Sequence, residues 1–153
     1  MPKTCAYQLR RKPPFFRPAR PRSRKDGWNE TRQCLFLAEL YFTGSVGSAA
    51  KSVGLSRNSA YRLRAREDAS GFARAWDAVL TRPGTGRVPG EKRDWRKVTQ
   101  KALIEQLESG FVKPVIYRGR VTGIARKADN SALFRLLRRC GPSVVLPPLE
   151  AQI

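Results

Sequence analysis

The sequence predicts a mainly α-helical chain: a bundle of about four helices built around a helix-turn-helix, then a further helix, a short β-hairpin and a final helix. Three observations carry this. Apolar residues recur at helical spacing in successive stretches, each opened by a capping residue and most closed by a glycine. The stretch TRPGTGRVPG at 81–90 interrupts that pattern with two prolines and three glycines. A single run rich in β-branched residues leads into Arg118-Gly119 and returns, as a hairpin does.

Taken in order, residues 1–27 hold nine basic residues and one acid, with Pro2, Pro13, Pro14, Pro18 and Pro21 spread among them. Proline prevents a helix or central strand from propagating, so a disordered or extended basic arm is expected. The first helix starts behind Asn29 and runs to about Thr43, with Cys34, Leu37, Ala38 and Tyr41 on one face and Gly44 as its stop. Ser45 caps a shorter helix to about Val53, which Gly54 breaks, and Ser56 caps a third to about Arg66. A fourth aligns Phe72, Ala75, Trp76 and Val79. After the linker at 81–90, a helix from about Glu91 to Ser109 turns Trp95, Val98, Ala102, Leu103 and Leu107 inward and ends at Gly110. Val115, Ile116 and Tyr117 pair with Val121 to Ile124, and Asp129 caps a last helix whose Leu133, Leu136, Leu137 and Cys140 share a face. The expected organisation is an arm at 1–27, a helix-turn-helix domain at 28–80, a linker at 81–90, an accessory or oligomerisation region at 91–142 and a loose tail at 143–153.

Charge narrows the function. Among 153 residues, 31 Lys and Arg against 12 Asp and Glu give a net charge of +19, which calls for a polyanionic partner. No apolar run approaches the ~18 residues of a membrane span, so no membrane partner is expected and the location is read as cytoplasmic, with the nucleoid. The chain contains no histidine, which removes the commonest general base and most zinc sites. Cys5, Cys34 and Cys140 are odd in number and far apart, suggesting neither a disulfide framework nor a metal knuckle. Ser45, Ser56 and Asp129 are explained as helix caps, and Phe72, Trp76 and Trp28 as core residues before stacking platforms. No enzyme, no cofactor and no metal are expected.

The stretch from Ser45 to Arg66 has the spacing of a helix-turn-helix. Ala50 is small where two helices meet, Gly54 can take the left-handed conformation of the turn, and Val53, Leu55, Ala60 and Leu63 supply a shared core. A 100° step per residue then turns Asn58, Tyr61, Arg62 and Ala65 away from that core, with Arg57 and Arg66 on the flanks. Arginine can bond guanine and asparagine adenine in a bidentate fashion, and Ser56 at the helix start can meet a phosphate. In the arm, Arg17, Arg20, Arg22, Arg24 and Lys25 are the expected phosphate contacts.

The run from Trp28 to Leu80, with Thr43-Gly44-Ser45-Val46, Ala49-Ala50, Val53-Gly54-Leu55-Ser56, Ser59-Ala60-Tyr61 and Ala75-Trp76-Asp77, resembles small bacterial helix-turn-helix proteins. The stretch from Gly110 through Pro114-Val115-Ile116-Tyr117-Arg118-Gly119 to Asp129 and Leu133 resembles the phage terminase small-subunit-like proteins of that group. The resemblance implies a sequence-specific binder of double-stranded DNA, acting as a homo-oligomeric transcriptional regulator. The alternative it implies is recognition of packaging DNA for a separate terminase large subunit. A third reading, an RNA-binding or ribosome-associated basic protein, rests on charge alone.

Overall fold

The computed structural model describes residues 9–22, 24–86 and 94–141. The chain is mainly α-helical with one two-stranded antiparallel hairpin, and it divides into two compact units. The first takes residues 1–92 and 111–127, the second residues 93–110 and 128–153. The first eight residues, residues 87–93 and the tail at 143–153 lie outside the described residues, and with them part of the expected arm and linker and the expected start of the fifth helix.

The first unit holds α1 (Glu30–Thr43), α2 (Val46–Ser52), α3 (Arg57–Arg64) and α4 (Ser70–Leu80), the last entered through a 3-10 turn at Glu67–Ala69. The expected caps are in place. The Asn29, Ser45 and Ser56 side chains accept from the backbone N–H of Arg32, Ser48 and Ser59, each satisfying a donor that the first helical turn leaves without a partner. Gly54, at φ 75°, makes the bend between α2 and α3 in a region that suits glycine. The core is aromatic: Phe36 lies 5.0 Å from Trp76 and 5.6 Å from Phe72, and Trp28 lies 5.4 Å from Phe36. Phe72, Ala75, Trp76 and Val79 are all buried, as their spacing predicts.

The described part of the arm is not disordered. It forms an extended strap whose Pro13, Phe16, Pro18 and Ala19 are buried. Phe16 and Val112 exchange backbone hydrogen bonds of 3.0 and 2.9 Å. Three residues on, the buried side chain of Gln33 accepts from Ala19 N–H at 2.8 Å and donates to Ala19 C=O at 2.9 Å, substituting for a neighbouring strand. Arg10 donates to the carbonyls of Tyr41 and Phe42 at 2.7 and 2.8 Å, the end of α1 where carbonyls lack helical partners and the helix dipole is negative. Gly71 leaves room for this strap: a Cβ there would stand 2.8 Å from the Arg17 carbonyl oxygen. The prolines that exclude helix are well suited to a strap, which has few backbone donors to satisfy.

The hairpin also differs from expectation in length and in allegiance. Strands β1 (Phe111–Tyr117) and β2 (Arg120–Lys127) begin and end further out than the β-branched run suggests, with a register shift at Val115/Ile116. Rather than belonging to an accessory region at 91–142, the hairpin packs along α1 in the first unit, with Val112 fully buried and Arg126 paired to Glu30 at 2.7 Å.

In the second unit, α5 (Gln100–Ser109) packs with α6 (Asn130–Cys140). Thr99 caps α5, so the helix does not start near Glu91; Trp95 sits instead in a separate 3-10 turn, Trp95–Lys97. Helical spacing misleads here because Trp95 and Val98 continue the α5 stripe in sequence while Thr99 offers a better cap. Asp129 caps α6 as expected. The stripe on α6 is not inward: Leu133, Leu137 and Cys140 are exposed, Leu136 is half-buried, and Ala132 is the buried residue of the helix. The other contact of α6 is basic, with Arg135 3.8 Å over the Trp95 ring and Arg139 donating to the carbonyls of Trp95 and Val98.

Two of the thiols are in opposite environments. Burial, with Glu30 adding to it and Arg126 opposing, pushes the Cys34 thiol up from 9.0 to about 12, whereas Cys140 is exposed. The unfolded chain ionises this thiol before the native one does. The Cys34 contribution to stability is therefore complete below pH 9 and declines as pH rises toward 12. At pH 8 a thiol-specific reagent is expected to label Cys140 at once and Cys34 only as the unit opens, with peptide mass spectrometry as the readout. Equal labelling rates would contradict the burial of Cys34.

Candidate nucleic-acid interface

Helix α3 buries only Ala60 and Leu63. Stepping 100° per residue from them places Asn58 and Ala65 farthest from the core, and both are exposed. The remaining residues fall on two shoulders.

The shoulder toward α4 is largely built into the fold. Tyr61 leans its ring 5.4 Å from that of Trp76 while remaining 43% exposed, and Arg57 lies 5.7 Å over the Tyr61 ring. Arg64 stacks over Trp76 at 5.1 Å and pairs with Asp77 at 2.7 Å. These contacts fix Tyr61 and Arg57 at the edge of the exposed strip instead of at its centre.

The other shoulder faces the strap. Arg66 donates to both Asp68 carboxylate oxygens at 2.8 and 2.5 Å and to the Arg20 carbonyl at 3.0 Å, and Asp68 also accepts from Arg20 N–H at 3.2 Å. Arg66, expected as a DNA contact, therefore acts first as a clasp between the strap and the end of α3. Ser59 accepts from the indole N–H of buried Trp28 at 2.8 Å. Ser56 is engaged as the cap of α3. Arg62 is exposed on this shoulder and opens into a cleft of about 650 Å³ between α3 and the strap, which Arg22, Arg24 and Lys25 also line.

The candidates thus separate. Arg22, Arg24, Lys25 and Arg62 converge on one cleft; Asn58 and Ala65 form the outermost strip; Arg17 stands apart, 4.9 Å over the Phe111 ring at the base of the hairpin. Sequence reasoning overlooked Ser59, whose role depends on Trp28 arriving from another element. It also overlooked the basic side chains of the hairpin, Lys113, Arg118, Arg120, Arg126 and Lys127, of which Lys113 and Lys127 lie 4.6 and 5.8 Å from the Phe15 ring. Their signal was present as a basic run at 113–127 without an acid.

Among the described residues no group of three His, Cys, Asp or Glu could hold a metal ion, and no helix is long and apolar enough to cross a membrane. Comparison of the chain with models of known protein families, with characterised proteins and with solved structures finds no match.

Proposed function

We propose that the chain binds double-stranded DNA in a sequence-dependent way through α3 and regulates transcription, without chemistry of its own. The observation that carries this reading is the exposed strip of α3, with Asn58 and Ala65 outermost and Arg62 and Tyr61 on its edges. Asparagine can bond adenine in a bidentate fashion, a small residue such as Ala65 admits a thymine methyl, and the B-form major groove accepts a helix. A-form RNA offers no such groove, which favours duplex DNA as the polyanion that a net charge of +19 requires.

The test is competition between a selected duplex and random duplexes. Asn58→Ala should lower the ratio of specific to non-specific affinity by roughly tenfold, the effect of a base contact of ~1–3 kcal/mol, and leave non-specific affinity unchanged. A ratio equal to that of the wild type would remove α3 from the groove.

A second reading, recognition of packaging DNA by an assembly of many copies, is favoured by α6. Leu133, Phe134 and Leu137 are exposed on it, and Ile104 is exposed on α5, the helix that packs with it. Sedimentation separates the readings: a dimer suits an operator, and a larger closed ring suits packaging.

A further inference from the structure

A cleft lies between α3 and the strap residues Arg22 and 24–28. At about 650 Å³ it falls within the range of small-molecule sites, roughly 300–1,000 Å³. Four cations open into it, Arg22, Arg24, Lys25 and Arg62, and none of them makes an ion pair with a described residue. Among the described residues, Asp26 is the one acid in the lining. The neighbouring Arg66 is already satisfied by Asp68 and by the strap, so it stiffens the wall. The tight turn in which Gly27 N–H donates to the Arg24 carbonyl at 3.0 Å brings the strap's cations to the mouth of the cleft.

These four side chains offer donors and positive charge but no acceptors, which selects an anion rich in acceptor oxygens. A bare phosphate would fill a small part of the volume. Leu55, Leu63 and Trp28 supply an apolar stretch of wall, and the indole N–H is already given to Ser59, so this part of the cleft suits a ring rather than a further charge.

We infer that this cleft is a nucleotide site, in which Arg22, Arg24, Lys25 and Arg62 hold phosphate and the Leu55–Leu63–Trp28 wall takes the base or sugar. The nucleotide is either free or a unit of the DNA strand. In either case Arg62 is a phosphate ligand and not a base reader, which leaves base discrimination to the strip centred on Asn58. The DNA source rests on the function proposed above; the free nucleotide does not.

The test uses the full chain in buffer without divalent metal at low salt. Deoxyadenosine triphosphate and inorganic pyrophosphate are titrated by calorimetry, and a labelled duplex is titrated at three salt concentrations. The Arg24→Ala/Arg62→Ala variant is compared with Lys97→Ala/Lys101→Ala, which removes the same charge from the second unit at exposed positions. Saturable binding of the triphosphate at one site per chain, tighter than pyrophosphate and weakened at least tenfold in the first variant only, is the expected result for a free nucleotide. No saturable binding of the triphosphate, together with a salt dependence of duplex affinity that becomes shallower by about 0.9 per lost contact in the first variant only, assigns the site to a nucleotide of the strand. Equal losses in both variants, or no loss in either assay, overturn the inference. Failure of the wild type to bind any duplex would instead refute the function proposed above, and a saturable triphosphate site would survive it.

Discussion

A chain lacking residues 1–25 is expected to lose the folded state of its first unit, not merely a set of positive charges. Truncation removes Phe16, which is 3% exposed, and deletion of a buried aromatic side chain costs ~3–5 kcal/mol. It also leaves the buried amide of Gln33 facing an empty channel, with a further cost of about 1–3 kcal/mol for each group left without a partner. Against a total stability of roughly 5–15 kcal/mol for an ordinary domain, the combined loss is enough to unfold much of the population. Urea titration followed by circular dichroism measures it. Phe16→Ala should reproduce a large part of the effect, whereas exchanging Arg22, Arg24 and Lys25 for glutamine should leave the midpoint nearly unchanged and weaken only the anion binding proposed above. A truncated chain with the wild-type midpoint would mean that the strap contributes nothing to the fold.

The second large effect is expected at Trp76. Its ring, 2% exposed, touches Phe36 and Phe72 inside the core and carries Tyr61 and Arg64 of α3 on its outer side. Trp76→Ala should cost ~3–5 kcal/mol through the cavity it leaves. It should also weaken the duplex binding proposed above in the fraction that remains folded, because Tyr61 and Arg64 lose the surface that fixes that shoulder of α3. Trp76→Phe keeps a ring in the cluster and should lose appreciably less on both counts. Urea midpoints and duplex affinity, measured where both variants are folded, decide the matter. An alanine variant with an unchanged midpoint would place the ring outside the core, and a folded one with unchanged duplex affinity would uncouple it from α3.

What the sequence discloses follows the range of the interaction. Asn29, Ser45, Ser56 and Asp129 could be read as caps because a cap acts on a backbone N–H only three residues away, and Gly54 could be read as a turn because its constraint is its own φ. The stripe on α4 was equally legible. The strap was not, because its apolar residues have no period and their partners are distant: Phe16 needs Val112, and Ala19 needs Gln33. Proline and arginine density suggested disorder where long-range pairing supplies order. The candidate site divides in the same way. That Asn58 and Ala65 face outward follows from Ala60 and Leu63 alone. That Arg66 also clasps the Arg20 carbonyl, or that Arg62 lines one cleft with Arg24, depends on where the strap lies. Amphipathic spacing on α6 identified an apolar face correctly but could not say whether this chain covers it.

The pairing of Phe16 with Val112 also sets an order of events during synthesis. The first unit is assembled from two stretches of chain, and the second of them leaves the ribosome only after α5 has been made. Until then the helical bundle lacks its closing strand, and the strap, which can already reach α1 through Arg10 and Gln33, has no partner for the backbone of Phe16. Contacts so remote in sequence form late and slowly, since the loop between them must close before they return any stabilisation. The nascent protein therefore passes through a period in which its most basic segment is unpaired at Phe16, and in which α1 presents apolar surface that the hairpin later covers. A polyanion encountered in that interval meets a different molecule from the finished one, so ribosome-bound chains stalled before and after residue 127 should differ in protease resistance across the strap.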